Sequence, residues 1–213
     1  MKIATKEVEI QGEKLVLTNQ RVIFWEKESA LILSDLHVGK TAHFRKNGIA
    51  IPNQIFEKDL QRLSFLIENF SAQKVVVNGD LLHAGDNSDV ENFCNWKGNI
   101  DAEFHLVQGN HDRISDSLKE KLALNSIVAK MEFDAFSFVH EFDENDPKFQ
   151  ITGHVHPGII LKTPVKNFRL PCFAVSERQL LMPAFSEFTG LDTKNLPEKS
   201  EIFAFSENEI YRI

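Results

Sequence analysis

Apolar residues along the chain fall into short runs that alternate with longer stretches of helical period. Near the start, "LVL" and "RVIFW" predict two strands of a hairpin. In "IPNQIFEKDLQRLSFLIENF", apolar side chains recur every three or four positions, which predicts a helix with Asn53 as its N-cap. "SDVENFCNW" and "SDSLKEKLAL" predict two further helices, the first capped by Ser88 and the second with Ser117 and Glu120 at capping-box spacing.

The order of these elements predicts the fold class. Early strands alternate with helices, whereas the runs in the final third, "GIILKTP", "RLPCFAV", "QLLMP", "EIFAF" and "IYRI", are strands that follow one another. This order is α+β and favours two packed sheets with helices outside over a simple doubly wound sheet. No repeat or long linker divides the 213 residues, so we expect a single domain over 1–213.

Five apolar runs each stop at side chains that can bind a metal ion. They are Asp35 and His37 after "LIL", Asp80 after "VVV", Asn110 and His111 after "FHLV", His140 after "FSFV", and His154 and His156 after "FQIT". Taken singly, each has an ordinary structural interpretation, since Asn-Gly-Asp, for example, is also good turn chemistry. The carboxyl ends of strands converge on one crevice, however, so the whole set is expected to meet in one pocket.

Composition limits what this pocket holds and where the protein works. Carboxylate, carboxamide and imidazole ligands without thiolate suit manganese, iron or zinc. The two cysteines, Cys94 and Cys172, are far apart and indicate neither a disulfide framework nor a zinc motif, which favours a reducing cytoplasm. No apolar run approaches the roughly 20 residues that span a membrane. The net charge of -7 argues against non-specific coating of nucleic acid, but allows a local basic rim.

In chain order, "DLH", "GD", "GNHD", a single His and "GHVH" resemble the signature of the calcineurin-like metallophosphoesterases. Further stretches, "DLHVGKTAHFRKNGIAIP", "GDLLHAG", "RLPCF" and "LMPAFSEFTG", are similar to the bacterial DNA-ligase-associated group of DNA damage response endonucleases or phosphoesterases. One departure is "HEF" at His140–Phe142, where the family pattern has proline last; it affects a loop and not a ligand. The resemblance implies an α/β fold, a four-layer α/β/β/α sandwich of two mixed β-sheets flanked by helices.

The resemblance also implies two divalent metal ions that share one carboxylate. The first would be held by Asp35, His37, Asp80 and His156, and the second by Asp80, Asn110, His140 and His154. Manganese is the expected metal, with iron or zinc as alternatives. Two such ions clamp the attacking and leaving oxygens of an in-line phosphoryl displacement and activate a water. By the same pattern, His111 would stabilise the transition state or act as general acid, and Asp112 would orient its imidazole.

Four further residues are candidates for contact with the substrate, namely Lys40, Arg45, His83 and Arg113, although a solvated loop explains Lys40 and Arg45 equally well. We therefore expect a binuclear-metal phosphoesterase that hydrolyses phosphodiesters of DNA or nucleotides in DNA repair, in functional association with a DNA ligase and a helicase. The alternative is the same chemistry on a small phosphoester, such as a nucleotide or cyclic nucleotide, with no nuclease role. A scaffold without catalysis is disfavoured because every ligand is present.

Overall fold

Two mixed β-sheets face each other, flanked by four α-helices, in the computed structural model, which describes residues 1–52 and 54–213. The predicted N-cap Asn53 lies outside the described residues. The first sheet, in hydrogen-bonded order, consists of β1 (Thr5–Ile10), β2 (Glu13–Thr18), β3 (Ile23–Trp25), β4 (Ala30–Leu33), β5 (Lys74–Asn78), β6 (Glu103–Val107) and β7 (Ser126–Val128). Strands β1 to β4 pair antiparallel and β4 to β7 pair parallel.

The second sheet contains the remaining strands of the described chain. They are β8 (Met131–Glu132), β9 (Phe136–Phe138), β10 (Phe149–Thr152), β11 (Gly158–Lys162), β12 (Asn167–Val175), β13 (Gln179–Leu181), β14 (Glu201–Phe205) and β15 (Ile210–Arg212). Their spatial order is β15-β14-β12-β13-β10-β9-β8, with β11 attached to β12 outside this path. The ligand-bearing strands β9 and β10 are parallel neighbours, so their carboxyl ends lie at one edge.

The helices occupy the connections between parallel strands, which need a crossover. Helices α1 (Lys40–Lys46) and α2 (Gln54–Phe70) link β4 to β5, α3 (Ser88–Lys97) links β5 to β6, and α4 (Asp116–Leu122) links β6 to β7. A one-turn 3-10 helix, Glu26–Glu28, precedes β4. Within 1–52 and 54–213, no helix is long and apolar enough to cross a membrane.

Two hydrophobic cores hold the layers together. One lies between the first sheet and its helices, where Leu63 and Leu66 of α2 pack with Leu31 and Val75 of the sheet. The other lies between the sheets and is rich in aromatic rings. Trp25 of the first sheet packs edge-on to Phe136 of the second at 5.2 Å between ring centroids, an arrangement that aromatic pairs favour. Ten of the 18 phenylalanines are buried core residues.

The structure corrects the sequence prediction at two helix caps. The N-cap of α3 is Asn87 and not Ser88, because the Asn87 side chain accepts hydrogen bonds from the backbone amides two and three residues further on. The N-cap of α4 is Ser115, so Ser117 and Glu120 lie inside the helix and form no capping box. Strand β1 and the short helix α1 were not predicted, since neither has a marked apolar period.

Candidate metal centre

The six predicted ligands that are carboxylates or imidazoles converge where strands of both sheets end. The ligand atoms of Asp35, His37 and His156 lie within 4.8 Å of one another and could hold a metal ion, and those of Asp80, His140 and His154 form a second such cluster. We call these the inner group and the outer group. The seventh predicted ligand, Asn110, follows Gly109 in the loop after β6 and is exposed. Residues from four strand ends thus lie together as the sequence pattern predicts.

The backbone is strained at most of these positions. Five of the six residues adopt left-handed φ values, namely Asp35 (58°), His37 (53°), Asp80 (51°), His154 (69°) and His156 (55°). Each such conformation costs on the order of 1–3 kcal/mol for a residue with a side chain and persists only where the surroundings enforce it. This strain turns the side chains away from their strands and is an independent mark of a functional site.

Two neighbouring loops place the carboxylates side by side. Beyond the ends of β4 and β5, the parallel hydrogen-bond ladder continues, with the Asp35 amide donating to the Gly79 carbonyl and the His37 amide to the Asp80 carbonyl, both at 3.0 Å. The backbone therefore fixes the separation of Asp35 and Asp80. Two buried carboxylates held this close require positive charge between or beside them.

The Asp35 carboxylate is fully buried and firmly held. The Ser34 hydroxyl donates to its Oδ2 at 2.5 Å, and His156 Nε2 lies 3.0 Å from its Oδ1. Burial alone would raise the pKa of Asp35, but the hydrogen bond and charge of His156, together with the charge of His140, hold it below its ordinary value. Asp35 therefore stays anionic, the state that a metal ligand requires.

His140 presents an unpaired nitrogen to the outer group. Its Nδ1 donates to the Asn78 carbonyl at 3.0 Å, which directs Nε2 toward the Asp80 carboxylate, 3.3 Å away. Among the described residues, Nε2 is buried and has no hydrogen-bond partner. Burial opposes a charge on this ring, but the Asp80 carboxylate beside Nε2 and the negative charge of Asp35 raise the pKa of His140 to about 9. This potential attracts a cation, a proton or a metal ion, to the same place.

The donor set fits a divalent metal. Carboxylate oxygens and imidazole nitrogens suit manganese, iron and zinc, and both described cysteines are remote free thiols outside the two groups. In the inner group, His37 Nδ1 is likewise buried without a partner among the described residues. Burial, and then the nearby charge of Lys40, lowers the pKa of His37 to about 3, so the ring is neutral and has a free lone pair.

Two glycines leave room for the ligands. A Cβ on Gly109 would collide with the side chain and the backbone amide of Asp80, and a Cβ on Gly79 would overlap the ring of His140. Gly79 also has φ of 91°, which a residue with a side chain rarely adopts. Both positions therefore require glycine for the outer group to form.

Asn78 is a functional residue that the sequence interpretation missed. Its buried side chain amide donates to the carbonyls of Val139 and Ile151 at 3.2 and 2.8 Å, and so joins β5 to the ends of β9 and β10 in the other sheet. Its own carbonyl accepts from Ser34 as well as from His140. Asn78 thus aligns ligands from both sheets; the only sequence signal is its place two residues before Asp80.

The side chains of His111 and Asp112 lie in different environments, since His111 is exposed and Asp112 is buried. The His111 amide donates to Asp80 Oδ1 at 3.0 Å, and its exposed imidazole lies near the inner group, with 5.9 Å between its ring centroid and that of His37. The buried Asp112 carboxylate instead accepts from the amides of Leu82 and Gly109, both at 2.8 Å. Burial raises the pKa of Asp112 to about 6. Asp112 holds two loops together, and among the described residues no hydrogen bond joins it to the His111 ring.

Two of the four residues predicted to contact the substrate, Lys40 and His83, have pKa values that are lowered by burial. Lys40 begins α1, and its ammonium donates to the Thr189 hydroxyl at 3.4 Å. Burial lowers the pKa of Lys40, although the charges of Asp35 and Asp80 act in the opposite direction. His83 stacks on His111 with 5.4 Å between ring centroids. Burial, and then Lys40, lowers the pKa of His83 to about 4, so this ring is neutral.

The other two candidates for substrate contact are arginines, and in the described part of the chain their side chains make no hydrogen bond with the predicted metal ligands. Arg45 Nη2 is 3.2 Å from Asp89, whose carboxylate also accepts from the Thr41 hydroxyl and the Ala42 amide at the start of α1. Arg45 is therefore engaged in holding α1 against α3. Arg113 is exposed just after Asp112, and its side chain makes no hydrogen bond or ion pair within the described part of the chain.

Comparison with known proteins identifies the family. A family model described as calcineurin-like phosphoesterase matches residues 29–141, which include all but the last two predicted ligands. Among solved structures, the nuclease MPE of Pseudomonas putida is similar, with 26% identity, a TM-score of 0.83, and coverage of 99% of this chain and 100% of that chain.

Two other comparisons add little. A protein of unknown function from Aquifex aeolicus gives 16% identity, a TM-score of 0.43, and coverage of 60% of this chain and 78% of that one. No curated protein matches. The family match and the nuclease neighbour agree with the site and the fold. The chain belongs to the calcineurin-like phosphoesterase family and is a metal-dependent hydrolase of phosphoric ester bonds.

Proposed function

Within the calcineurin-like phosphoesterase family, we propose that this protein is a binuclear-metal phosphodiesterase that acts on DNA, with manganese as its preferred ion. The observation that carries the proposal is the pair of adjoining ligand groups, each of three side chains whose ligand atoms lie within 4.8 Å of one another. Adjoining sites of this kind suit phosphoryl transfer, since two ions can stabilise both the attacking and the leaving oxygen.

Each residue has a defined task in this proposal. The inner group, Asp35, His37 and His156, holds one ion; the outer group, Asp80, His140 and His154, holds the other, with Asn110 as a further ligand of the outer ion. The family resemblance implies that both ions would share Asp80, whose Oδ1 accepts from the His111 amide and whose Oδ2 lies 3.3 Å from His140 Nε2. When bound, the ions supply a Lewis acid for the phosphoryl oxygens and lower the pKa of a water nucleophile.

The remaining residues act on the substrate. His111 stands exposed at the edge of the centre and donates a proton to the leaving alkoxide. The ammonium of Lys40 neutralises the negative charge of the phosphodiester, and the neutral rings of His83 and His37 pack beside His111. Asp112 positions His111 indirectly, because its carboxylate fixes the loop that carries the imidazole.

DNA is the proposed substrate because the similar Pseudomonas putida protein is a nuclease and resembles this chain over 99% of its length. A role in DNA repair, with a DNA ligase and a helicase as partners, and a cytoplasmic location remain predictions from the family resemblance. The second candidate, a small phosphoester as substrate, is favoured by the net charge of -7, which opposes binding of a polyanion.

Hydrolysis of three substrates with Mn²⁺ tests the proposal: plasmid DNA, single-stranded DNA and bis-p-nitrophenyl phosphate. We expect turnover of all three and its loss in the Asp80→Asn variant. Turnover of bis-p-nitrophenyl phosphate with intact DNA would support the small-molecule alternative. If the purified protein hydrolyses none of them with manganese, iron or zinc, the proposed function is wrong.

A further inference from the structure

A two-stranded hairpin projects from the second sheet directly after the last metal-centre residue. We call residues 158–171 the basic hairpin. Strand β11 pairs with the first half of β12, in register Ile160 with Arg169 and Leu161 with Phe168, and among the described strands it pairs with no other. The turn at its tip is closed by the amide of Thr163, which donates to the Lys166 carbonyl. A ribbon of two strands cannot bury both of its faces, so its side chains remain available.

The surface of the basic hairpin differs from the rest of the chain. It contains three cationic and no acidic side chains, whereas the whole chain has a net charge of -7. It also carries four of the nine large hydrophobic side chains that are exposed among the described residues, namely Ile160, Leu161, Val165 and Phe168. Val165, at the tip, is 91% exposed. Such a concentration of exposed apolar and cationic groups is typical of a binding surface.

One face of the basic hairpin combines a cation with an aromatic ring. Lys166 directly precedes β12, and Phe168 is the second residue of that strand. Side chains two residues apart in an extended chain lie on the same side, and Lys166 Nζ is 4.5 Å from the centroid of the Phe168 ring. Phe168 is 40% exposed. Neither Lys162 nor Lys166 has an ion-pair partner within residues 1–52 and 54–213. Proteins that bind single-stranded nucleic acid combine these two elements, a cation for phosphate and a ring for base stacking.

The basic hairpin is anchored to the metal centre at its base. Asp192 accepts from the Gly158 amide at 2.8 Å, and its own amide donates to the His156 carbonyl at 2.9 Å. Lys162 is therefore six residues from the inner-group ligand His156, a span of at most about 20 Å in extended chain. A DNA strand that occupies the metal centre therefore passes within a few nucleotides of Lys162.

From these observations we propose that the basic hairpin binds an unpaired DNA strand beside the scissile phosphodiester. Lys162 and Lys166 contact the phosphates, and a base stacks on Phe168. This inference rests on the proposed phosphodiesterase function and extends it by locating the surface that holds the DNA strand next to the metal centre. It also explains how a chain with net negative charge holds a polyanion, since the positive charge is local and close to the centre.

The test compares two substrates in a charge-reversed variant, Lys162→Glu with Lys166→Glu. On single-stranded DNA at low salt we expect kcat/KM to fall roughly tenfold or more, because two phosphate contacts are replaced by repulsion. On bis-p-nitrophenyl phosphate, which is too small to reach the basic hairpin, kcat/KM should change less than about twofold. A matched control, Lys6→Glu with Lys14→Glu on the β1–β2 hairpin, makes the same change in net charge and should retain cleavage of DNA.

Two further measurements separate local binding from misfolding. The neutral variant Lys162→Gln with Lys166→Gln should reduce the slope of log kcat/KM against log salt by about 1.4 for single-stranded DNA, as expected for two lost contacts. Phe168→Leu should weaken cleavage of single-stranded DNA more than cleavage of duplex.

The outcomes distinguish this inference from the proposed function. Wild-type protein that is inert toward bis-p-nitrophenyl phosphate with metal would overturn the proposed function, and the basic-hairpin proposal with it. Wild-type activity on the small diester, combined with DNA cleavage that the charge reversal leaves intact, would overturn the hairpin proposal alone and point to a protein partner for its apolar side chains. Equal losses on both substrates, or an equal loss in the β1–β2 control, would also contradict it.

Discussion

The inner and outer groups use the same residue types, one carboxylate and two imidazoles each, but the fold holds them differently. In the inner group, Asp35 is completely buried and His156 is 22% exposed at its side chain while bonded to Asp35. In the outer group, Asp80 and His140 are buried, whereas the His154 side chain is 42% exposed and lies 3.7 Å from the carboxylate of Glu141. The inner group is thus the more buried and the more tightly hydrogen-bonded of the two, and the outer group includes the most exposed of the six side chains, His154.

This difference predicts that the two groups bind their ions with different affinities. A preorganised ligand loses less conformational entropy on binding than a mobile one, so the inner ion should bind more tightly. In the proposed function both ions share the carboxylate of Asp80, so its loss should affect both.

Removal of the shared carboxylate should have the largest effect. Asp80→Asn keeps the shape of the side chain but removes the charge, and we expect kcat/KM on bis-p-nitrophenyl phosphate to fall about a thousandfold, which corresponds to about 4 kcal/mol. The exposed Asp101 offers a matched control, since Asp101→Asn removes the same charge before the start of β6, at the opposite end of the strand from the centre. Comparable activity of the two variants would show that Asp80 is not a ligand.

Removal of metal should destabilise the fold. Without divalent ions, the buried carboxylates of Asp35 and Asp80 lose their main positive partners. Ligand at a hundred times its Kd contributes about 2.7 kcal/mol to the free energy of unfolding. For a chain of this size, that corresponds to roughly 5–10 °C in Tm. Thermal denaturation with EDTA and with added Mn²⁺ measures this shift directly, and identical Tm values would contradict a preformed metal centre.

A methyl group placed between the loops should disturb the outer group first. In Gly109→Ala, the new Cβ would overlap the Asp80 side chain, so we expect a loss of about 1–3 kcal/mol in the free energy of unfolding and a marked loss of activity. The control is Gly85→Ala, where open space surrounds the added Cβ. Urea denaturation of the two variants compares them. Equal stability would mean that the loops yield more easily than the described contacts indicate.

Replacement of His154 or of His156 should have a smaller effect, and the number of ions lost should differ between the two variants. His154→Ala should weaken the outer ion by roughly tenfold or more, about 1.4 kcal/mol, and leave the inner ion in place. His156→Ala also removes a hydrogen bond from Asp35, so it should weaken the inner ion and lower occupancy of both. Native mass spectrometry at limiting Mn²⁺ counts the ions. If His154→Ala loses both ions and His156→Ala loses one, the ranking of the groups is reversed.

The sequence predicts the metal centre better than it predicts the structure around it. Ligands at the ends of apolar runs can be predicted from the sequence, because the apolar run "VVV" is followed directly by Asn78, Gly79 and Asp80. The same pattern gives α2 and the order of most strands. The sequence does not predict residues such as Asn78 and Ser34 in this way. They act through side chain contacts between the sheets, and in the sequence they are ordinary polar residues at strand ends.

Local signals also compete in ways that only packing decides. Ser88 and Asn87 are both good N-caps, and the structure uses Asn87, whose side chain accepts from the amides of Asp89 and Val90. Helix α1 has little apolar period of its own and is held by this contact with Asp89 instead. The position of Arg45, paired with Asp89, follows from the same packing and could not be read from the sequence.

The central claim is that two metal ions bind in adjoining sites, one in each group. Crystals grown with Mn²⁺ and measured at the manganese absorption edge test it most directly. The account predicts two anomalous peaks about 3.5–4 Å apart, one beside Asp35, His37 and His156 and the other beside Asp80, His140 and His154. A single peak at saturating Mn²⁺, or peaks away from these residues, would contradict it.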